Sequence, residues 1–255
     1  ADAVHCQQYA ARAFFGGHDG PRRHAAACVS TCRGRAAATV FRGGRTFLCR
    51  LYAALSGSEG QRTVRLGADE LLDVDWWEEQ LHSAAGCSKI FLTDHPLPVV
   101  TLKSDAAGEI GWGYVHDGVL HWSRWRQETV TARHIQYKEL VALVHACELY
   151  GKQFADKLVR FGVDNSAVAY IVNKQSSGCP QLLQLLRRLA RAQCAHNFDV
   201  VCVHVSRQYN ALADMCTRFQ ELSEFEALLP KEIRVGSEVQ VSAVPSPAAN
   251  APVPY

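Results

Sequence analysis

From residue 97 onward the hydrophobic pattern allows few folds. LPVVTLKSDAA, EIGWGYVHDG and VLHWSRWR follow one another with short links. Each is a short apolar stretch of the strand type, and His116-Asp117-Gly118 is a hairpin turn signal. Three consecutive strands so connected predict an antiparallel meander. The period then switches to that of a helix over about 134–151, with Ile135, Leu140, Val141, Val144, Cys147 and Leu149 as its apolar set. Gly151 stands where a C-cap is expected. KLVRFGVD reads as a strand, and NSAVAYIVNKQ as a helix opened by polar capping residues. After a loop at Ser176–Pro180, QLLQLLRRLARAQCAHN is an amphipathic helix. FDVVCVHVS is a nearly continuous apolar strand, expected to be buried on both faces. NALADMCTRF is a short helix. The order βββαβααβα predicts an α/β fold. Its mixed five-stranded sheet has three antiparallel strands plus two parallel ones, flanked by helices.

Upstream, Phe47, Leu48, Leu51, Tyr52 and Leu55 recur at helical spacing within residues 37–56. ADELLDVDWWEEQLH, residues 68–82, predicts a second helix. Its early acids suit the positive end of the helix dipole, and Trp76, Trp77 and Leu81 form its buried face. The expected organisation has four parts. Residues 1–36 are a poorly determined Arg-rich segment and 37–96 a helical connection segment. Residues 97–220 are the α/β domain, and 221–255 are a C-terminal helix followed by a Pro/Ala-rich tail.

Composition narrows the class. With 48% hydrophobic and 20% charged residues, wholesale disorder and fibrous repeats are excluded. No apolar run approaches the roughly 20 residues of a membrane helix, and no signal-peptide core opens the chain, so no membrane partner is expected. The chain starts at Ala1 and its one methionine is Met215, which reads as a fragment or a processed product. Residues 1–67 hold ten arginines, no lysine and three acids. That cationic block has three open readings: nucleic-acid phosphate contact, a mitochondrial-type presequence, or a solvated face. Of ten cysteines only Cys28 and Cys32 lie close together, and no second pair completes a zinc motif. Cys147, Cys194 and Cys202 lie in apolar stretches, as buried free thiols do, which is the expectation for an intracellular, reducing compartment.

Four acids sit where acids are awkward. Asp105 ends the first strand, Glu139 precedes Leu140 and Val141 in the long helix, Asp164 ends LVRFGV, and Asp214 lies between Ala213 and Met215. An acid at a strand end is commonly a turn former or cap, and Asp164 before Asn165-Ser166 has that local explanation. The topology argues for more. The first and fourth strands are expected to be neighbours, so their C-terminal ends lie side by side with the long helix packed across them. Four carboxylates meeting there would hold two divalent cations about 4 Å apart. Hard oxygen donors without a Cys or His cluster suit Mg²⁺ or Mn²⁺. Such a pair of ions suits in-line hydrolysis of a phosphodiester.

The order Asp, Glu, Asp, Asp on strand, helix, strand and helix, at intervals of 34, 25 and 50 residues, resembles the ribonuclease H fold and its active site. SDAAGEIGWGYV resembles the first hairpin of retroelement ribonuclease H domains. VDNSAVAYIVNKQ is similar to the stretch around the third carboxylate in DIRS-type retrotransposons. YNALADMCTR resembles the N-x-x-A-D-x-x-S-R ending of gypsy-like elements, with Thr217 in place of serine. FRGGRTFLCRLY and DVDWWEEQL are similar to the segment joining polymerase and ribonuclease H in such elements. The resemblance covers about residues 34–220.

The resemblance implies a ribonuclease H-like domain with a helical N-terminal extension, within a retroelement reverse transcriptase polyprotein. It implies cleavage of the RNA strand of RNA–DNA hybrids with two Mg²⁺ or Mn²⁺ ions held by Asp105, Glu139, Asp164 and Asp214. The partners implied are the hybrid and the polymerase domain of the same polyprotein, in nucleus or cytoplasm. Many cellular enzymes of this fold place a histidine on a flexible loop before the last aspartate, whereas SRQYN is short and has none, a form that gypsy-like domains share; His204, inside an apolar strand, reads as structural. Asn165 and Ser166 are expected to cap a helix, with Asn165 also a candidate substrate contact beside Ser166. Arg187, Arg188 and Arg191 form a basic stripe, which either grips phosphate or is solvated; Arg187 and Arg191 are its substrate-binding candidates. Trp112, Trp122 and Trp125 alternate along a hairpin and read as core packing or an exposed sheet face, with stacking on nucleic acid as the lesser reading, and GEIGWG lacks the following helix that a dinucleotide loop needs. A different reading is a domesticated copy, a scaffold or nucleic-acid-binding subunit of a larger assembly, for which a mitochondrial location stays open.

Overall fold

A computed structural model describes residues 41–56, 65–82, 97–126, 133–217 and 234–238. A short 3-10 turn, Thr46–Leu48, leads into α1, Cys49–Ser56, and α2 spans Ala68–His82. The meander follows as β1 (Val99–Ala106), β2 (Gly111–His116) and β3 (Val119–Arg124). Then come α3 (Ile135–Tyr150), β4 (Leu158–Val163), α4 (Ser166–Lys174), α5 (Pro180–His196) and β5 (Asp199–His204). A 3-10 turn at Arg207–Tyr209 precedes α6 (Ala211–Cys216), and β6 spans Arg234–Glu238.

The sheet order is β5-β4-β1-β2-β3-β6. β1 pairs antiparallel with β2, and β2 with β3 through the two-residue turn Asp117-Gly118, whose φ angles are 48° and 68°. Such positive angles match the twist of a tight hairpin. β4 pairs parallel with β1, and β5 parallel with β4. This is the expected mixed sheet of three antiparallel and two parallel strands, flanked by helices. β6 adds a sixth strand, parallel to β3, with the Trp122 indole donating to the Gly236 carbonyl at 3.1 Å. The reading of the tail as linker does not foresee it, because a lone edge strand is defined by its partner and not by its own pattern. The C-terminal helix expected near 221–229 lies outside the described residues, as do residues 1–36.

The main core lies between the sheet and α3, α4 and α5. Leu143, Val144, Phe154, Val159 and Phe161 are fully buried there. Trp112 and Trp122 are buried as core residues, and the Trp125 indole donates to the Ala107 carbonyl at 2.7 Å. Burying side chains of this size is the main driving force for the layer packing.

Two local expectations are corrected. β5 is not buried on both faces: it is the sheet edge, and Val203 and His204 are exposed. Its apolar run reflects one covered face under α4. The outer edge is closed by Asn173 of α4, whose amide donates to the Cys202 carbonyl at 2.7 Å and accepts from the Cys202 N–H at 2.9 Å. A side chain thus substitutes for a missing strand and blunts a site of edge pairing. Gly151 is not a left-handed cap either, since its φ is −49°. Its lack of a side chain serves close packing: a Cβ there would lie 2.1 Å from the His196 ring.

The helical extension packs on α5. Phe41, Phe47, Leu48, Leu51, Val74, Trp76 and Trp77 form a second core with Ala190 and Cys194. The Phe47 and Trp76 rings stack at 3.9 Å. The helical stretch expected within residues 37–56 is the 3-10 turn at Thr46–Leu48 and α1, and Gly43 turns the chain ahead of it with φ at 67°. Beside it, the Arg42 guanidinium reaches the buried Asp199 carboxylate at 3.0 Å, tying the turn to the start of β5. A Cβ on Gly43 would lie 2.1 Å from the Ala190 Cβ. Gly43→Ala is therefore expected to cost about 2–4 kcal/mol, from backbone strain plus overpacking. Urea unfolding monitored by tryptophan fluorescence measures it; a cost below roughly 0.5 kcal/mol, the ordinary range for surface changes, would contradict this packing.

Of the ten cysteines, Cys49, Cys147, Cys179, Cys194 and Cys202 are free thiols, with Cys147, Cys194 and Cys202 buried as their apolar neighbours predict. Among the described residues no helix is long and apolar enough to cross a membrane.

Candidate active site

The parallel pairing of β1 and β4 ends with Lys103 beside Gly162. Two residues further on, the strands deliver Asp105 and Asp164 side by side. α3 crosses the sheet and carries Glu139 to the same place from above. One carboxylate oxygen from each of Asp105, Glu139 and Asp164 lies within 4.8 Å of the others. Asp214, on α6, lines the same open cleft of about 500 Å³ together with Gly108, Ile135 and Arg207. The four acids read from the sequence are thus brought together, three as a tight group and Asp214 at its side.

These carboxylates are crowded, and two of them are shielded from water. Asp105 and Glu139 are buried, while Asp164 and Asp214 are half-buried. Burial, aided by the charge of Asp164, raises the Asp105 carboxyl to about 6. Burial also raises Glu139, to about 7, against a hydrogen bond from Asn165 that favours its charged form. A cluster that resists its own ionisation is relieved by a cation.

Supporting residues fix the geometry. Asn165 caps α4, its Oδ1 accepting from the Ala167 N–H at 3.0 Å and the Val168 N–H at 3.4 Å. Its Nδ2 donates to Glu139 Oε1 at 3.2 Å. One side chain therefore closes a helix end and orients a carboxylate. Glu139 Oε2 is buried and has no hydrogen-bond partner among the described residues. Ser166 is the first residue of α4 and is exposed, so capping falls to Asn165.

Two other sequence candidates lie elsewhere. Arg187 does not face the cleft: its guanidinium makes a two-pronged pair with Asp73 of α2, at 3.0 and 2.8 Å. Arg191 is exposed and sits over the Phe47 ring at 5.9 Å. The stripe they form on α5 is cationic because it receives the helical extension and its buried Asp73, a partner no local pattern shows. Arg188 pairs instead with Glu148 at 2.6 Å.

Residues not singled out from the sequence also shape the site. The Arg207 guanidinium is 2.9 Å from Asp214 Oδ1. Asn210 is fully buried, donates to the Ser104 carbonyl at 3.1 Å, and accepts through its own backbone carbonyl from the Asp214 N–H at 3.0 Å. It fastens the Asp214 helix to the strand residue next to Asp105. Its signal is the first position of the N-x-x-A-D pattern, four residues before the acid. Lys138, adjacent to Glu139, is buried and donates to the Gly108 carbonyl at the cleft wall.

The donor set fits a hard divalent cation. All groups are carboxylate oxygens, and one buried oxygen lacks a protein partner among the described residues. Among the described residues, no other His, Cys, Asp and Glu cluster has such geometry.

No family model matches this chain, and no curated protein matches it. Solved structures do. The chain is similar to LC11-RNase H1 in complex with RNA/DNA hybrid, at 19% identity over 46% of this chain and 91% of that one, with a TM-score of 0.38. It is similar to RNase H1 from the halophilic archaeon Halobacterium salinarum NRC-1, at 21% identity over 46% and 93%, TM-score 0.36. It is also similar to the foamy viral protease-reverse transcriptase in complex with RNA/DNA hybrid, at 14% identity, covering 61% of this chain and 26% of that one, TM-score 0.36.

Proposed function

We propose that this chain is a divalent-metal-dependent endonuclease that hydrolyses the RNA strand of RNA–DNA hybrids, as part of a retroelement reverse transcriptase. The observation that carries this reading is the meeting of Asp105, Glu139 and Asp164 within 4.8 Å, around a buried Glu139 oxygen with no partner among the described residues. Asp214 borders the same cleft. The sequence resemblance supplies the substrate class and the polymerase domain as partner.

Asp105, Glu139 and Asp164 would hold Mg²⁺ or Mn²⁺, with Asp214 completing the set. A bound ion of this kind supplies an activated water and neutralises charge that develops on a phosphodiester. The chain's own part is arrangement. β1 and β4 fix two carboxylates by backbone pairing. Asn165 turns Glu139 toward the cleft, and Asn210 sets the distance between the Asp105 strand and the Asp214 helix. The openness of the cleft suits a rigid duplex read by shape, phosphates and 2′-hydroxyls.

The test is incubation of the full chain with a labelled RNA–DNA hybrid in Mg²⁺, Mn²⁺ or EDTA, beside Asp164→Asn. The expected result is cleavage of RNA only, dependent on metal and abolished in the variant. Metal-independent binding without cleavage by folded protein would overturn it, in favour of a captured scaffold.

A further inference from the structure

The pair formed by Arg207 and Asp214 bears on how many cations the cleft accepts. The guanidinium stands 2.9 Å from Asp214 Oδ1, inside the cleft that the other three acids line. Asp105, Glu139 and Asp164 form a tight group without it. Their Glu139 oxygen, unpartnered among the described residues, points to one cation position that no protein group fills. At Asp214 a protein cation already stands.

We infer that Arg207 is a built-in counter-ion that makes this cleft a strong site for one divalent cation and a weak site for a second, which binds only by displacing the guanidinium from Asp214. This rests on the reading of the cleft as a metal site. Three further observations support it. The Arg207 side chain is 69% exposed, so it can leave Asp214 without opening the core. Its backbone is held: Lys103 donates to the Tyr209 carbonyl at 2.6 Å, and the next residue, Asn210, is buried and fastened to Ser104. A fixed backbone with an exposed side chain returns the charge to one place. Arg207 also acts electrostatically, more weakly than on Asp214, on Asp105 and Asp164. An exposed ion pair is individually weak, which suits a displaceable occupant and not a permanent one.

The proposal predicts a metal-occupancy step set by one side chain. Titration calorimetry of the full chain with Mn²⁺ and then Mg²⁺, without nucleic acid, reads it directly. Wild type is expected to bind one ion tightly and a second much more weakly. Arg207→Gln is expected to tighten the second ion about fivefold and leave the first within about twofold, the scale of losing one exposed charge pair. Arg207→Lys, which keeps the charge, should bind the second ion as wild type does. Circular dichroism checks that each variant is folded. Equal second-ion affinity in wild type and Arg207→Gln would overturn the proposal and leave the metal-site reading standing. So would equal tightening in Arg207→Lys, because the effect would then not be one of charge. Absence of any binding that Asp164→Asn removes would overturn both.

Discussion

Glu139→Gln is expected to make the metal-free protein more stable at pH 8 while removing tight binding of the first cation and nearly all hybrid cleavage. The opposed signs come from one cause. Glu139 is buried among other carboxylates and its proton affinity is raised to about 7, burial being the main reason. Between its ordinary value of 4.5 and about 7, the folded chain holds a proton that the unfolded chain releases. Stability therefore falls as pH rises through that window, and the full penalty is present above it. Asp105, raised to about 6, adds in the same direction. Glutamine is isosteric, keeps an acceptor for Asn165 and carries no charge.

Melts in EDTA at pH 5.5 and pH 8 should show wild type losing stability at the higher pH, and the variant losing less. At pH 8 the variant should gain about 1–3 kcal/mol. Adding Mg²⁺ should raise the wild-type Tm and leave that of the variant nearly unchanged. Cleavage should fall about 10³-fold, the scale of several kcal/mol of lost charge stabilisation. A variant less stable than wild type at pH 8 in EDTA would mean that the carboxylate is structural, held for the sake of its bond from Asn165.

Asp73→Ala is expected to destabilise the fold severely without touching the cleft. Asp73 is 1% exposed and receives two guanidinium groups. Arg50 reaches it at 2.9 and 2.8 Å, and Arg187 at 3.0 and 2.8 Å. Burial pulls the Arg187 proton affinity down, and Asp73 opposes that. Removing the carboxylate leaves a buried cation uncompensated, which costs about 3–5 kcal/mol. Urea unfolding should show it. Glu148→Ala, which removes the partner of the more exposed Arg188, should cost about 1 kcal/mol or less. The pair Asp73→Leu with Arg187→Met should recover much of the loss, since apolar replacement of a buried ion pair is often tolerated. Asp73 does not line the cleft, so cleavage per folded molecule should be unchanged. A cost for Asp73→Ala below about 1 kcal/mol would contradict the buried character of this link.

What is legible in the chain follows the range of the forces involved. α2 matches its expected span, Ala68–His82, and the Asp117-Gly118 turn its expected place, because helical period and turn chemistry act over a few residues. The four acids are legible for a related reason: a charge among apolar neighbours is a local anomaly, and the strand order follows from connection rules. Arg187 shows the limit. Its spacing on α5 marks a cationic stripe, but its partner is 114 residues away and belongs to a helix of the extension.

By itself, then, the sequence determined the element order from β1 to α6, the mixed sheet and which four carboxylates meet at one cleft, through periodicity and connection rules that act locally. Only the tertiary structure decided how the charges pair. Arg42 with Asp199, Arg187 with Asp73, and Arg207 beside Asp214 depend on where the chain returns in space. It also decided that β5 is an edge closed by Asn173 and that β6 extends the sheet beside β3. Local patterns state what a residue needs; the packed fold alone states which distant group meets that need.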